Sequence, residues 1–445
     1  MPLGPCYVAA YVKKYGYNDV TYYSQDVYHY PEEHLTDYLN ENKFDIIGIG
    51  FAAGYYQFKK IKSICDAVNK SKNRPYLTLG GHGPTPEPEF FIREMGADAA
   101  VMGEGELPFL NLVKALDHGT PLKDVKGIAF KDGDAVIVNE RERPIMDLDS
   151  IPFPYVEPLP MEYYVNQKLY GMRPTERMIY MISSRGCNYR CNFCLRLEAG
   201  IRLRSPENIV EEIKKYKRDY NISFVHFVDE LFMVNEKRVR ELTEAFMREK
   251  LNIKYFCTGR LNIVNQEIID MMKKSGCTFI DYGIEQYDNR ALVAMDKHLT
   301  EEDIEKGVKM TQEAGIYVAF NIIFGNLGDT RETLRKSLDF LKKYNDYGQL
   351  RVIRPVTPYP GTPLYRHAIK SGLLKGPADF YEKHQNLELL TVNFTSIPDS
   401  EFYELMLDAN KEIISDYYEH AKVSATEQFR KVYFEKDVDF RGARH

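Results

Sequence analysis

Apolar positions recur along this chain in two series, each alternating short β-branched runs with stretches that carry the 3.6-residue period of a helix. In the first series, residues 5–15 read as a helix and Val20-Thr-Tyr-Tyr23 as a strand. Asp45-Ile-Ile-Gly-Ile-Gly-Phe51 reads as a buried parallel strand, and residues 58–69 as a helix with Phe58, Ile61, Ile64, Cys65 and Val68 on one face. A strand over 76–80, a helix near 87–95, a strand over 99–102 and a helix over 107–116 follow. The pattern is that of an open α/β sheet, which binds ligands at the carboxyl ends of its strands. Lys131-Asp-Gly-Asp134 between two short apolar runs signals a hairpin.

A proline-rich stretch, Ile151-Pro-Phe-Pro-Tyr-Val-Glu-Pro-Leu-Pro160, interrupts the alternation. It restarts at Met178, with strands expected near 178–183, 223–229, 255–259, 279–284, 317–324 and 349–357. The intervening helices have legible ends: Ser205 before Pro206 is a cap followed by an N1 proline, Thr300-x-x-Asp303 is a capping box, and Gly276 and Gly315 sit where helices stop. Six such units predict a partial (β/α) barrel with its chemistry on the loops after the strands. Beyond residue 360 the chain reads as mostly helical and rich in tyrosine. The expected division is therefore 1–140, a linker over 141–175, a barrel over 176–360 and a helical extension over 361–445.

Composition narrows the function classes. A net charge of −6 with interspersed signs leaves no basic footprint for nucleic acid, and no apolar run reaches the length of a membrane span. The opening Met-Pro-Leu-Gly-Pro-Cys has no cationic stretch before an apolar one; with its free cysteines, the chain is expected in a reducing cytoplasm.

Three of its seven cysteines lie together in Arg185-Gly-Cys187-Asn-Tyr-Arg-Cys191-Asn-Phe193-Cys194, just after the strand that opens the barrel. A structural zinc site needs four ligands, and no second Cys-x2-Cys or His pair follows. Cys257 and Cys277 stand alone in strand-like surroundings, and an odd cysteine count in a chain this long does not suit a disulfide framework. A cubane [4Fe–4S] cluster takes one thiolate per iron; three thiolates leave the fourth iron open to a small molecule.

This Cys-x3-Cys-x2-Cys loop, with Phe193 before its last cysteine, resembles that of the radical S-adenosylmethionine (SAM) superfamily, and the resemblance extends over roughly 175–365. It implies that Cys187, Cys191 and Cys194 hold the cluster while SAM chelates the open iron. Asp229 and Glu230, after the second strand, would face the SAM ammonium group; the family commonly has Asp-Asp there, and a helix-capping acid beside Asn235 is the other reading of Glu230. Arg260 after the third strand would pair with the SAM carboxylate, or else is simply solvated. Glu285 in Gly283-Ile-Glu-Gln286, where the family usually has Gly-Val-Glu-Ser, would reach the ribose or the amino group, or is a surface glutamate. Gly325, in Asn321-Ile-Ile-Phe-Gly-Asn-Leu-Gly328, would let backbone approach the adenine.

Val356-Thr-Pro-Tyr-Pro-Gly-Thr362 and Arg202-Leu-Arg-Ser-Pro-Glu207 are similar to one branch of that superfamily, simple solvation being the other reading of those arginines. The branch carries an amino-terminal cobalamin-binding domain of Rossmann type, and residues 3–116 look like one. Gly80, Gly81 and His82 in the Leu79–Thr85 loop, and Glu104, Gly105 and Glu106 in the next, match its two most recognisable loops as contacts to the cofactor. Three departures stand out. The usual strand before Pro-Leu-Gly is absent, the segment 50–55 lacks the serine or threonine often found there, and Asp26 and His29 do not form an Asp-x-His-x-x-Gly motif. A degenerate domain that only supports the barrel stays open as an alternative, and His82 is either a cofactor contact or a turn residue.

The resemblance implies a cobalamin-dependent methyltransferase acting on an unactivated carbon, served by a reductant such as flavodoxin or ferredoxin, on a substrate the sequence does not identify (a small molecule or a peptide). One SAM would methylate the reduced cobalamin, and a second, cleaved at the cluster, would supply a 5′-deoxyadenosyl radical that abstracts a substrate hydrogen. A radical SAM cyclase, mutase, deoxygenase or dehydratase is the first alternative. A non-catalytic iron–sulfur or electron-transfer protein is the second, and the polar residues at successive strand ends argue against it.

Overall fold

Among the described residues thirteen short strands, none longer than nine residues, divide between a mixed sheet, a parallel sheet and one small ribbon. The computed structural model describes residues 1–31, 33–51, 55–383 and 389–436. The first sheet runs in chain order, β1 (Ile46–Phe51), β2 (Tyr76–Gly81), β3 (Ala99–Val101), β4 (Ile128–Asp132) and β5 (Ala135–Val138). The first three strands are parallel and the last two close it as an antiparallel hairpin, as Lys131–Asp134 signals. Leu77, Thr78, Leu79 and all of β3 are buried, which fits a parallel sheet covered on both faces. Helices Leu3–Lys14, Tyr55–Lys70, Pro88–Met95 and Glu106–His118 provide the cover.

Residues 20–23, expected as a strand, pair with nothing in the sheet. Their aromatic rings are used elsewhere: Tyr22 donates to the Tyr155 carbonyl at 2.6 Å, and the Tyr23 hydroxyl meets His34 Nδ1 at 2.8 Å within a group of rings that includes Tyr30 and Tyr38. β-Branched and aromatic composition marks a half-buried surface, and here that surface is a loop. Of the segment 50–55, residues 52–54 lie outside the described residues.

The second sheet is wholly parallel: β6 (Met178–Met181), β9 (Phe224–Phe227), β10 (Lys254–Gly259), β11 (Cys277–Glu285), β12 (Tyr317–Phe324) and β13 (Ile353–Pro355), each beside the one before. It is the partial (β/α)6 barrel. Between β6 and β9 the chain also makes an antiparallel ribbon, β7 (Ser184–Cys187) against β8 (Gly200–Leu203). The helix signals hold: Ser205 Oγ accepts from the Asn208 N–H at 3.1 Å, and Thr300 and Asp303 form the reciprocal capping box. Gly276 stops its helix at φ +109°, a conformation that suits glycine.

The floor of the barrel is apolar. Met178, Phe224, Phe256 and Phe279 cluster there, covered by Leu169, Tyr170 and Met172 from the stretch before β6. That stretch is packed along its length, since Val156, Leu159, Met161, Tyr164 and Val165 all join the main core.

The carboxyl-terminal extension is helical, as expected, and touches both sheets. Tyr365, Phe380 and Tyr381 enter the core of the first, where Tyr381 stacks on Phe58 at 4.6 Å. The long helix Asp399–Arg430 lays Phe402 against Phe324 of β12 at 5.1 Å. Tyr381→Ala should therefore destabilise the first domain as well as the extension, by about 3 kcal/mol, which urea unfolding would read as one lowered midpoint rather than as separate loss of the extension.

Candidate active site at the strand carboxyl ends

The three cysteines lie on the β7–β8 ribbon, which stands over the carboxyl ends of the barrel strands. Cys187 closes β7 opposite Gly200, and Cys191 and Cys194 lie in the turn between the strands. All three are free thiols. Among the described residues no three Cys, His, Asp or Glu groups converge as they would on a single ion; a cubane takes its thiolates on separate irons. Burial pushes the Cys194 thiol up to about 12, and Cys191, Glu230 and Cys187 add to it. Cys187 is raised for the same first reason. Thiols that resist ionisation on their own are ones that a bound metal must deprotonate.

The tip of the ribbon is fixed from several directions. Asn192 and Asn326 exchange side-chain hydrogen bonds at 3.1 and 2.9 Å, the Asn192 N–H donates to the Met295 carbonyl, and the Leu364 N–H donates to the Asn192 carbonyl. Tyr189 lies under the guanidinium of Arg260, 3.5 Å from ring centroid to the carbon. The Lys297 ammonium stands 5.8 Å from the Phe193 ring and 3.0 Å from Glu285 Oε1. Lys297, Asn192 and Asn326 hold this arrangement together; the two asparagines lie within motifs whose spacing gives them no role, and Lys297, buried like Asn326, lies in none.

Each expected strand-end residue is placed at this rim. Asp229 is 3% exposed, and its Oδ1 accepts from the Ser183 N–H and Oγ (2.9 Å each) and from Ser184 Oγ at 2.6 Å. Its other oxygen, Oδ2, is buried and has no hydrogen-bond partner among the described residues, and burial raises the carboxyl's pKa. Glu230 is reached by solvent yet hemmed in by protein, which lifts it to about 7 against the pull of Arg196. It does not cap the helix that begins at Glu236; Asn235 does that itself. Arg260 is buried, not solvated, and donates to the Lys297 and His298 carbonyls.

Glu285 is buried too. The β11–β12 register slips between Gly283 and Glu285, and Glu285 takes φ +67°. A bulge re-aims a side chain, and a left-handed non-glycine residue at such a place is strain held by its surroundings. Gly283 makes the room: a Cβ there would lie 3.0 Å from Lys297 Nζ. The neighbouring Gln286 is structural, held by Ser337 Oγ at 2.6 Å. Gly325 has φ +101°, and a Cβ on it would meet the Phe402 ring at 2.9 Å, so its bareness first serves packing against the long helix. Its N–H and that of Asn326 donate to Asp329 Oδ2 at 2.8 and 2.9 Å.

The first domain's loops meet the ribbon directly. Glu104 accepts from Arg185 and Arg202, and Glu106 from Arg185, all four side chains nearly sealed from solvent. Burial alone would raise Glu104; the two guanidiniums more than offset it and hold the carboxyl below its ordinary range. Arg202 and Arg204 are thus not solvated: Arg204 donates to the Ile182 carbonyl at 2.7 Å and to Asn208 at 2.6 Å. Gly81 has φ +99°, and the Thr85 hydroxyl donates to its carbonyl at 2.7 Å. Gly80 is in register with Gly50, and Gly105 lies against Val8 of the first helix. His82 has no hydrogen-bond partner among the described residues, and burial lowers its pKa. Asp26 accepts from Tyr164 at 2.6 Å, and His29 ends a short helix. Finally, a Cβ on Gly361 would lie 2.9 Å from Pro86 and 3.2 Å from Leu195, so the last barrel turn, a first-domain loop and the ribbon meet at one point.

Two family models match this architecture: the radical SAM superfamily over residues 181–341 and the B12 binding domain over 1–113. An uncharacterised methyltransferase of Pyrococcus horikoshii is 33% identical over 338 residues, covering 74% of this chain and 70% of that protein. The chain belongs to the B12-binding radical SAM enzymes. An anaerobic magnesium-protoporphyrin IX monomethyl ester cyclase of Rubrivivax gelatinosus is 26% identical over 82% of this chain, which spans 66% of that protein's length. The fold is shared with the solved radical SAM methyltransferase TsrM of Kitasatospora setae, with cobalamin and a [4Fe–4S] cluster bound, at TM-score 0.67 and 17% identity, over 84% of this chain and 76% of that one. The cofactors of the family are a [4Fe–4S] cluster, SAM and cobalamin.

The residues present fit these groups. Three free thiols share one ribbon, the orphan Asp229 Oδ2 is an acceptor of the kind an ammonium satisfies, and His82 offers an unpaired neutral imidazole just after β2.

Asp329 gives this site a pH signature. Burial lifts its carboxyl to about 7, against roughly 4 in an unfolded chain. Between those values the folded chain keeps a proton that the unfolded chain releases, so stability falls as pH rises through this window. Asp329→Asn keeps an acceptor for both N–H groups and removes the ionisation; its urea midpoint should fall less than the parent's between about pH 5 and about pH 8. Lys297→Met should cost about 3 kcal/mol or more by leaving Glu285 buried and unpaired, whereas Lys297→Met with Glu285→Gln should recover much of that in the same unfolding measurement.

Proposed function

We propose that this protein is a cobalamin-dependent radical SAM methyltransferase that methylates an unactivated carbon of a small molecule or peptide. The observation that carries the reading is the union in one chain of a B12 binding domain and a radical SAM barrel whose cysteine ribbon the first domain's 102–106 loop touches, together with the likeness to a methyltransferase over 74% of the chain. When bound, the cluster and SAM supply reductive cleavage of the sulfonium, and cobalamin supplies a methyl group for transfer.

The chain's own residues bind and orient. Cys187, Cys191 and Cys194 hold the cluster. Glu230 and the free oxygen of Asp229 would hold the SAM ammonium group, a cation beside Glu230 favouring the ionised form of a carboxyl that burial lifts to about 7. Arg260 and Glu285 stand at the next two strand ends as contacts to the carboxylate and ribose, each held by partners that fix its position rather than leaving it to solvent. Gly325 brings backbone near the adenine. Gly80, Gly81 and His82 meet the cobalamin at the end of β2. The Tyr189 and Phe193 rings cover the cations beneath the turn and keep water from them. The electron comes from a flavodoxin or ferredoxin in the cytoplasm. No helix among the described residues is long and apolar enough to cross a membrane.

The likeness to a cyclase supports a second reading, a radical SAM cyclase that does not transfer methyl groups. Anaerobic reconstitution with iron, sulfide, hydroxocobalamin and a reductant separates the two. The methyltransferase turns SAM into both S-adenosylhomocysteine and 5′-deoxyadenosine; a cyclase gives 5′-deoxyadenosine without S-adenosylhomocysteine. Cys191→Ala should bind less than half the parent's iron, lose the charge-transfer absorbance of the cluster and cleave no SAM, with unchanged far-ultraviolet circular dichroism. A Cys191→Ala protein that still cleaved SAM at the parent's rate would sink the whole scheme.

A further inference from the structure

The ribbon that carries the cysteines is, by itself, electrostatically unfavourable. Its register sets Arg185 directly opposite Arg202. Like charges opposite each other across an antiparallel pair destabilise it, and these side chains are only 14% and 6% exposed, so water does little to screen them. No residue of the two strands is acidic.

The compensating charges come from the first domain. Glu104 Oε2 accepts from Arg185 Nη1 at 2.9 Å and from Arg202 Nη1 at 3.0 Å, and Glu104 Oε1 accepts from Arg202 Nη2. Glu106 Oε1 takes the other arm of Arg185 at 2.6 Å. Two acids and two guanidiniums cancel. The acids are rigidly backed: a Cβ on Gly105, between them, would lie 2.9 Å from Val8, and Arg185 also stands over the Tyr7 ring at 5.0 Å. A second contact repeats the theme beyond β3, where Arg141 binds Glu198 at 2.5 Å beside Gly103.

We propose that Glu104 and Glu106 are positioning residues for the cysteine ribbon, holding β7 and β8 in register so that the first domain sets how Cys187, Cys191 and Cys194 stand, and that they do not contact cobalamin. Their oxygens are committed to guanidiniums, and a corrin side chain would have to displace a buried ion pair to reach them. The inference stands whether or not the enzyme transfers methyl groups.

The test uses the full chain, reconstituted anaerobically with iron and sulfide, and reads no turnover. In Glu104→Gln/Glu106→Gln, iron should fall from about four per chain to less than half of that, or the reduced cluster's paramagnetic resonance should broaden and shift. Hydroxocobalamin affinity should stay within about twofold of the parent. Full iron with an unaltered spectrum overturns the proposal, and so does retention of the cluster with loss of hydroxocobalamin, which would make the acids cofactor contacts. Should the double variant lose both, adding Arg185→Gln and Arg202→Gln to it decides, since this removes the like charges that the acids hold together. Return of both the iron and the hydroxocobalamin affinity supports the proposal, and iron or hydroxocobalamin affinity still lost overturns it.

Discussion

A turn that must present three thiolates has too few apolar side chains to fold by itself. Residues 188–199 hold asparagines, arginines and an acid, with little to bury but Phe193, Leu195 and Leu197. Hydrogen bonds and ion pairs from outside have to fix it, and burial of those groups is favourable only when each is paired. The consequence runs through the whole structure. Asn192 is held by residues about a hundred and more positions downstream, Tyr189 and Phe193 lie against Arg260 and Lys297, and the strands of the ribbon lean on Glu104 and Glu106. Apart from short-range bonds such as Arg196 to the Tyr189 carbonyl, these supports join residues far apart in sequence, so loop-closure entropy must be met before they contribute.

The acids at the strand ends divide their labour by environment rather than by identity. Asp229 and Glu230 are adjacent, but one spends an oxygen on tying β6 to β9 while the other projects into the open rim. The same split separates Glu285, which is paired and buried, from an acid free to titrate. A motif that shows carboxylates at successive strand ends says nothing of how many are structural, because that depends on which donors the tertiary fold brings near.

Legibility followed the same line. The barrel strands and the helix ends could be read because period, capping residues and terminal glycines are local signals, and β12 occupies residues 317–324 as its alternation suggests. The cysteine spacing was legible for the same reason. Residues 20–23 were misread because composition does not distinguish an aromatic loop from a strand. Lys297 gave no signal at all: a lysine after a helix looks solvated until Glu285 closes over it. Arg202 looked solvated for a parallel reason, since Glu104 lies nearly a hundred residues upstream, whereas the partners of Arg204, Asn208 and Glu212, are close in sequence but carry no signal of their pairing. The Glu-Gly-Glu loop was visible as a motif, yet its electrostatic partners became visible only with the ribbon register.

The carboxyl-terminal extension has a consequence for synthesis. Phe51, Phe58, Phe90 and Phe91 form one face of the first domain, and Tyr381 completes their packing. A chain leaving the ribosome amino end first exposes that aromatic face long before its cover has been made. During the whole interval in which the barrel is translated, the first domain is an unfinished half of an interface, open to other nascent chains and to chaperones. The step that buries this face is the arrival of the last segment, so a nascent chain broken off anywhere inside the barrel is left adhesive as well as inactive.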